Sequence, residues 1–81
     1  RERVAQLTEE IEGLSAQVSA KEQEIALVQK ELEGVRQLYE QHLVQLSRLT
    51  TLERDTARLN GERAQFIAAR AQAKGKISET E

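Results

Sequence analysis

Tyr39-Glu40-Gln41-His42-Leu43-Val44-Gln45-Leu46-Ser47-Arg48-Leu49 is the stretch on which the fold of this 81-residue chain turns. Before it, apolar side chains recur at alternating spacings of three and four, at Val4, Leu7, Ile11, Leu14, Val18, Ile25, Val28, Leu32, Val35 and Tyr39, with Lys21 as the single polar interruption. Five heptads of this kind, mostly β-branched at the first position, spell a coiled-coil helix of about 40 residues and roughly 60 Å. Carried forward, the same frame passes His42, Leu46 and Leu49 and then meets Glu53, Thr56, Asn60 and Arg63. There it fails. A second frame, shifted by three residues, takes over through Leu49, Leu52, Thr56, Leu59, Arg63, Phe66, Arg70, Ala73 and Ile77. It is the weaker of the two, with one strongly apolar residue per heptad at Leu52, Leu59 and Phe66.

Two structures produce such a shift. A continuous helix can absorb it as a stammer, a three-residue slip that overwinds the coil, and the lack of Gly or Pro in this stretch favours that reading. Alternatively the chain turns near residues 42–47 and a second helix returns antiparallel to the first. His42-Leu43-Val44 is a poor helical patch between two good ones. Ser47 can cap a new helix, and Thr50-Thr51-Leu52-Glu53 has capping-box spacing. Residues 1–46 hold five basic and nine acidic side chains, whereas residues 47–81 hold seven basic and five acidic. Folded back, the arms attract. These features lean towards an all-α, antiparallel two-helix coiled-coil hairpin in which residues whose numbers sum to about 88 pair, setting Leu32 beside Thr56 and Lys21 beside Phe66 with Glu62 close by.

Composition narrows the function classes. Charged residues make up 32% and apolar ones 38%, with only Tyr39 and Phe66 aromatic, too little for a compact core at this length. A net charge of −2 and no basic stripe with interleaved aromatics argue against nucleic acid as a partner. Without cysteine there is no disulfide framework or thiolate metal site. No apolar run approaches the roughly 20 residues of a membrane span, so the segment itself is not expected to cross a bilayer. Arg1 falls in mid-pattern and Ile77–Glu81 carry no cap, which reads as a segment of a longer chain.

The run Leu43-Val44-Gln45-Leu46-Ser47-Arg48-Leu49-Thr50-Thr51-Leu52-Glu53-Arg54-Asp55-Thr56-Ala57-Arg58-Leu59-Asn60-Gly61-Glu62, followed by Ile67-Ala68-Ala69-Arg70-Ala71 and Ile77-Ser78-Glu79, resembles the hairpin tip and returning helix of periplasmic membrane fusion proteins, closest to the HlyD-like adaptors of type I secretion systems. The likeness covers residues 36–81; residues 1–35 add generic coiled coil. It implies one α-hairpin segment over 1–81, with helix 1 at about 2–41, the tip at 42–47 and helix 2 at about 48–79. It further implies the periplasmic part of an inner-membrane-anchored protein. Such a protein assembles as a homo-oligomer, typically of six, and bridges an inner-membrane ABC transporter to a TolC-like outer-membrane channel. In drug-efflux relatives the tip carries Arg, Leu and Ser at fixed spacing. Here Arg36 and Ser47 keep that separation, but Glu40 holds the leucine position, with Leu38 and Leu43 nearby. His42 stands where relatives often have Gly.

The residues expected at a partner-binding tip are Arg36, Leu43, Val44, Leu46 and Ser47. Two adjacent apolar side chains at the end of a polar rod are hard to bury within one hairpin and suggest docking. The plainer alternative has Leu46 closing the seam and Ser47 acting only as an N-cap. His42, the sole histidine, lacks companions for a zinc site, which needs three or four ligands. Ser15, Ser19, Ser47 and Ser78 have no base held near them. Neither a cofactor nor an enzymatic role is therefore expected. Lys21, Arg63 and Arg70 are polar residues at seam positions, where they cost stability and often set register, unless the seam is simply loose there. Gly13, Gly34, Gly61 and Gly75 fall off the seams as points of flexure. The expected function is that of a structural adaptor segment; the rival is a straight dimeric coiled-coil spacer rod.

Overall fold

A computed structural model describes residues 1–80. Two helices, α1 (Glu2–Glu40) and α2 (Leu46–Thr80), are joined by residues 41–45 and lie antiparallel in a body of 60 × 14 × 12 Å. The length is that of one 39-residue helix at about 1.5 Å per residue. The chain reverses, and the stammered rod is not formed.

The seam that holds the arms together follows the two sequence frames. Leu7, Val18, Ile25, Leu32 and Val35 of α1 are buried, as are Leu52, Leu59 and Ala73 of α2, with Leu7 and Leu59 only 1% exposed. Val4, Ile11, Leu14, Val28, Leu49, Phe66 and Ile77 are half-buried. A two-helix body offers each seam residue one partner helix and open flanks, so half-burial is the ordinary outcome. Nearest the turn, Leu32, Val35 and Leu52 form a cluster against which Val28, Val44 and Leu49 pack. Tyr39, the last residue of the first frame, is exposed, because the chain has begun to leave the seam at that level.

The reversal is built by the backbone. The amide of His42 donates to the Tyr39 carbonyl at 2.9 Å, and the amide of Leu43 donates to the Leu38 carbonyl at 2.9 Å. This pair of bonds is a Schellman closure, which satisfies the carbonyls that a helix end leaves free. It requires a left-handed residue after the C-cap, and His42 supplies it at φ 61°, where glycine is the usual occupant. Because the closure finishes at Leu43, α2 begins at Leu46, two residues ahead of the expected start. Gln45 therefore takes the N-cap position and accepts the Arg48 amide at 3.1 Å. Ser47 lies inside the first turn and does not cap it; its hydroxyl meets the Gln45 side chain at 3.5 Å. Thr50-Thr51-Leu52-Glu53, with its capping-box spacing, falls within the helix body, and Thr51 donates back to the Ser47 carbonyl at 2.9 Å.

The earlier turn also shifts the pairing. Lys21 meets Glu62 and Glu22 meets Arg63, pairs whose numbers sum to 83 and 85 rather than 88. Lys21 thus hydrogen-bonds Glu62, the residue expected close to it. Four ion pairs cross between the helices among the described residues: Lys21–Glu62, Glu22–Arg63, Glu31–Arg48 and Arg36–Glu53. Two of them join the acidic arm to the basic arm in the expected sense, and two run the other way. Exposed pairs are individually worth little, so the apolar seam carries most of the association.

Candidate functional site

The end of the hairpin opposite the chain termini gathers nearly all the exposed large apolar side chains. Leu38, Tyr39, Leu43 and Leu46 are exposed there, and Leu27 is the only other such residue among those described. Their position follows from the turn. The Schellman closure places Leu38 and Leu43 across one hydrogen bond, the location where an apolar pair commonly accompanies this motif. Leu43 is 66% exposed and Leu46 56% exposed, so the polypeptide presents them to solvent rather than to its own seam.

Of the residues expected at the tip, Leu43, Leu46 and Ser47 lie at its surface. Val44 turns inward instead, half-buried against Leu32, Val35 and Leu52, and so anchors the connection while its neighbour Leu43 points out. Arg36 stands one turn below. Its guanidinium lies 3.8 Å from the Glu53 carboxylate of α2, which ties the arms together just beneath the turn. Leu38 and Tyr39 extend the apolar surface, although periodicity places Tyr39 in the seam. The signal that identifies them is an apolar residue five positions ahead of Leu43 at a Schellman end, and His42 in the glycine position obscures it.

One side of the tip carries a shallow open depression lined by Val44, Gln45, Ser47, Arg48 and Thr51. Arg48 is held to Glu31 at 2.6 Å, which fixes a cation at the rim. Apolar knuckles, a hydroxyl and a guanidinium paired with Glu31 thus stand together at this end of the hairpin. Among the described residues no group of three or more His, Cys, Asp or Glu side chains is placed to hold a metal ion.

Farther down the shaft lies a polar layer. Lys21 Nζ donates to Glu62 Oε1 at 2.8 Å and sits 3.3 Å from Glu24. The hydrogen bond to Glu62, then that to Glu24, raises the Lys21 pKa above its ordinary value. The bond from Lys21 in turn lowers that of Glu62, against partial burial and with help from Arg58. One layer on, Arg63 binds Glu22 at 2.9 and 3.2 Å, and Arg70 reaches Ser15 at 3.4 Å. Lys21, Arg63 and Arg70, the polar residues of the seam, all find partners on the facing helix. No described helix is long and apolar enough to cross a membrane.

Comparison with known proteins adds the setting. The family described as AprE, long alpha-helical hairpin, matches residues 1–81. The chain is 52% identical over 77 residues to the type I secretion system membrane fusion protein PrsE of Rhizobium meliloti (strain 1021), an alignment covering 95% of this chain and 18% of that protein. The chain thus spans less than a fifth of the length of the curated relative it matches. No solved structure matches it.

Proposed function

The chain belongs to the AprE long alpha-helical hairpin family, and from that premise we propose that it is the adaptor hairpin of a type I secretion membrane fusion protein. In this reading the hairpin is the periplasmic strut of an inner-membrane-anchored protein. Several copies bridge an ABC transporter at the base to a TolC-like outer-membrane channel at the tip. The strut performs no chemistry; it sets a distance and presents a contact surface.

The observation that carries the reading is the placement of exposed apolar side chains. A polar shaft about 60 Å long ends in Leu38, Tyr39, Leu43 and Leu46, and an apolar patch at the end of an otherwise charged rod is the mark of a docking surface. Leu43, Leu46 and Ser47 would meet the channel directly. Arg36 would act from beneath by holding the arms together at Glu53, and Val44 by seating the turn. The chain reversal also removes the continuous helix on which a straight spacer rod depends.

The test is export by the full-length parent carrying Leu43→Asp and Leu46→Asp together. The expected result is at least a tenfold loss of secreted substrate, with the adaptor still present in the inner membrane at its normal level and no longer co-purifying with the outer-membrane channel. Export at the unmodified level with both substitutions in place would refute the tip assignment.

A further inference from the structure

We infer that the outward faces of the two helices form a side-by-side interface between copies of this chain, in which Leu27 of one hairpin inserts between Ala57 and Gly61 of the next. The inference rests on the adaptor reading only for its setting, several hairpins held upright with their tips level.

Three observations converge on it. First, Leu27 is 69% exposed about two-thirds of the way along α1, roughly 20 Å short of the tip and with nothing in its own hairpin to cover it. It shares its helical face at seven-residue spacing with Ala20, Gly13 and Gly34. Second, α2 carries on the side away from α1 an uninterrupted run at heptad spacing, Ala57, Gly61, Ala64, Ala68, Ala71 and Gly75, every one exposed. An added Cβ at Gly61 or Gly75 meets nothing within 4 Å. Helices normally pack 8–10 Å apart according to the side chains at the contact, and this face admits a partner at the near end of that range. Third, the charges beside the two faces are complementary and unused. Glu12 and Glu33 flank the α1 face, Lys74 flanks the α2 face and Arg54 lies at its upper end, and none of the four makes an ion pair within the described hairpin.

The register brings these observations together. The helices end at Glu40 and begin again at Leu46, so residues whose numbers sum to about 86 stand at one height, as the Ser15–Arg70 and Glu22–Arg63 contacts within the hairpin illustrate. Neighbouring hairpins with level tips obey the same relation. It puts Leu27 at the height of Leu59 next door, whose outward neighbours are Ala57 and Gly61. It also puts Glu12 opposite Lys74, and Glu33 within a residue of Arg54. Opposite charges at matched heights orient an interface and fix its register even where each contributes little affinity. The faces differ, so the contact is heterologous. Each copy offers the Leu27 knob on one side and a small-residue face on the other, so the contact repeats head to tail from copy to copy.

The experiment is cysteine cross-linking of the full-length parent in membranes, in a background free of other cysteines. Leu27→Cys with Gly61→Cys is expected to link copies into a ladder of dimers and larger species under mild oxidation. Leu27→Cys with Gly75→Cys, about 21 Å off register, is expected to give at least fivefold less. Glu12→Lys should weaken the first ladder several-fold, and adding Lys74→Glu should restore it. Lys21→Cys with Glu62→Cys must link within one chain, which reports that the hairpin has formed. With that internal link intact, absence of the 27–61 ladder overturns the inference. So does equal linking of the off-register pair, dimerisation by Leu27→Cys alone, or linkage of Gly61→Cys to a different protein. Loss of export on tip substitution with the ladder unchanged separates failure at the tip from failure of this lateral contact.

Discussion

Lys21 of α1, at a seam position that an apolar residue would ordinarily fill, is joined at 2.8 Å to Glu62, which flanks the seam on α2. The bond imposes a pH dependence whose sign is fixed by the shifts. Glu62 is lowered, so its contribution is present above the unfolded glutamate pKa of about 4.3 and disappears as pH falls through the lower folded value. Lys21 is raised, so its contribution is present below the unfolded lysine pKa of about 10.4 and is lost as pH climbs through the higher folded value. Between those limits the pair is complete. Urea midpoints measured across pH should therefore fall at both extremes. Glu62→Gln should flatten the acid limb relative to the unmodified chain, and equal acid limbs in the two would contradict the assignment.

His42 occupies a left-handed conformation that a Cβ disfavours. Replacement by glycine removes that cost but adds freedom to the unfolded chain. The expected net effect of His42→Gly is a gain of about 0.5–1 kcal/mol. His42→Val, whose branched side chain is least tolerant of positive φ, should lose about 1–2 kcal/mol. Denaturant titration of both variants checks the turn directly; a valine variant as stable as the native chain would mean that the reversal is not closed this way.

Leu59 and Leu43 are chemically identical residues in opposite situations. Leu59 is 1% exposed in the seam and Leu43 is 66% exposed at the tip. Leu59→Ala should lower stability by about 2–4 kcal/mol through lost burial and an unfilled space, whereas Leu43→Ala should change it by no more than about 0.5 kcal/mol. Thermal unfolding by circular dichroism distinguishes them. A large loss at Leu43 would show that it packs within the hairpin.

Glycine in a helix interior is less stable than alanine by about 1 kcal/mol, and at Gly13 and Gly34 an added methyl group meets nothing within 4 Å. Gly13→Ala and Gly34→Ala should each raise the stability of an isolated hairpin by about 0.5–1 kcal/mol, read as a higher melting temperature. A decrease would place an unseen neighbour against the helix.

The sequence revealed the helices more readily than the turn. Val4 through Val35 keep one frame, interrupted only at Lys21, because an apolar stripe is what joins two long helices, and the frame's failure from Glu53 onward bracketed the reversal within residues 39–52. The closure itself was hidden. Ser47 and Thr50 advertise a helix start, yet the helix begins before both, because backbone bonds from His42 and Leu43 settle the geometry and neither depends on a distinctive side chain. At the tip, Leu46 stayed open between the surface and the seam, and Leu43 was legible as an apolar residue with nowhere to go. Val44 was not, since whether a residue in a short connection faces inward depends on φ angles that spacing does not report. The partners of Lys21 and Arg63 were visible only approximately: a turn centred one residue earlier moves every cross-helix pair.

Because the two arms run side by side, the chain enters and leaves the structure at the same end. Adding seven residues to each arm would extend the shaft by about 10.5 Å while preserving the seam frame, the tip and the place of attachment. The hairpin is thus a gauge whose reach can be reset in whole heptads without rebuilding its tip.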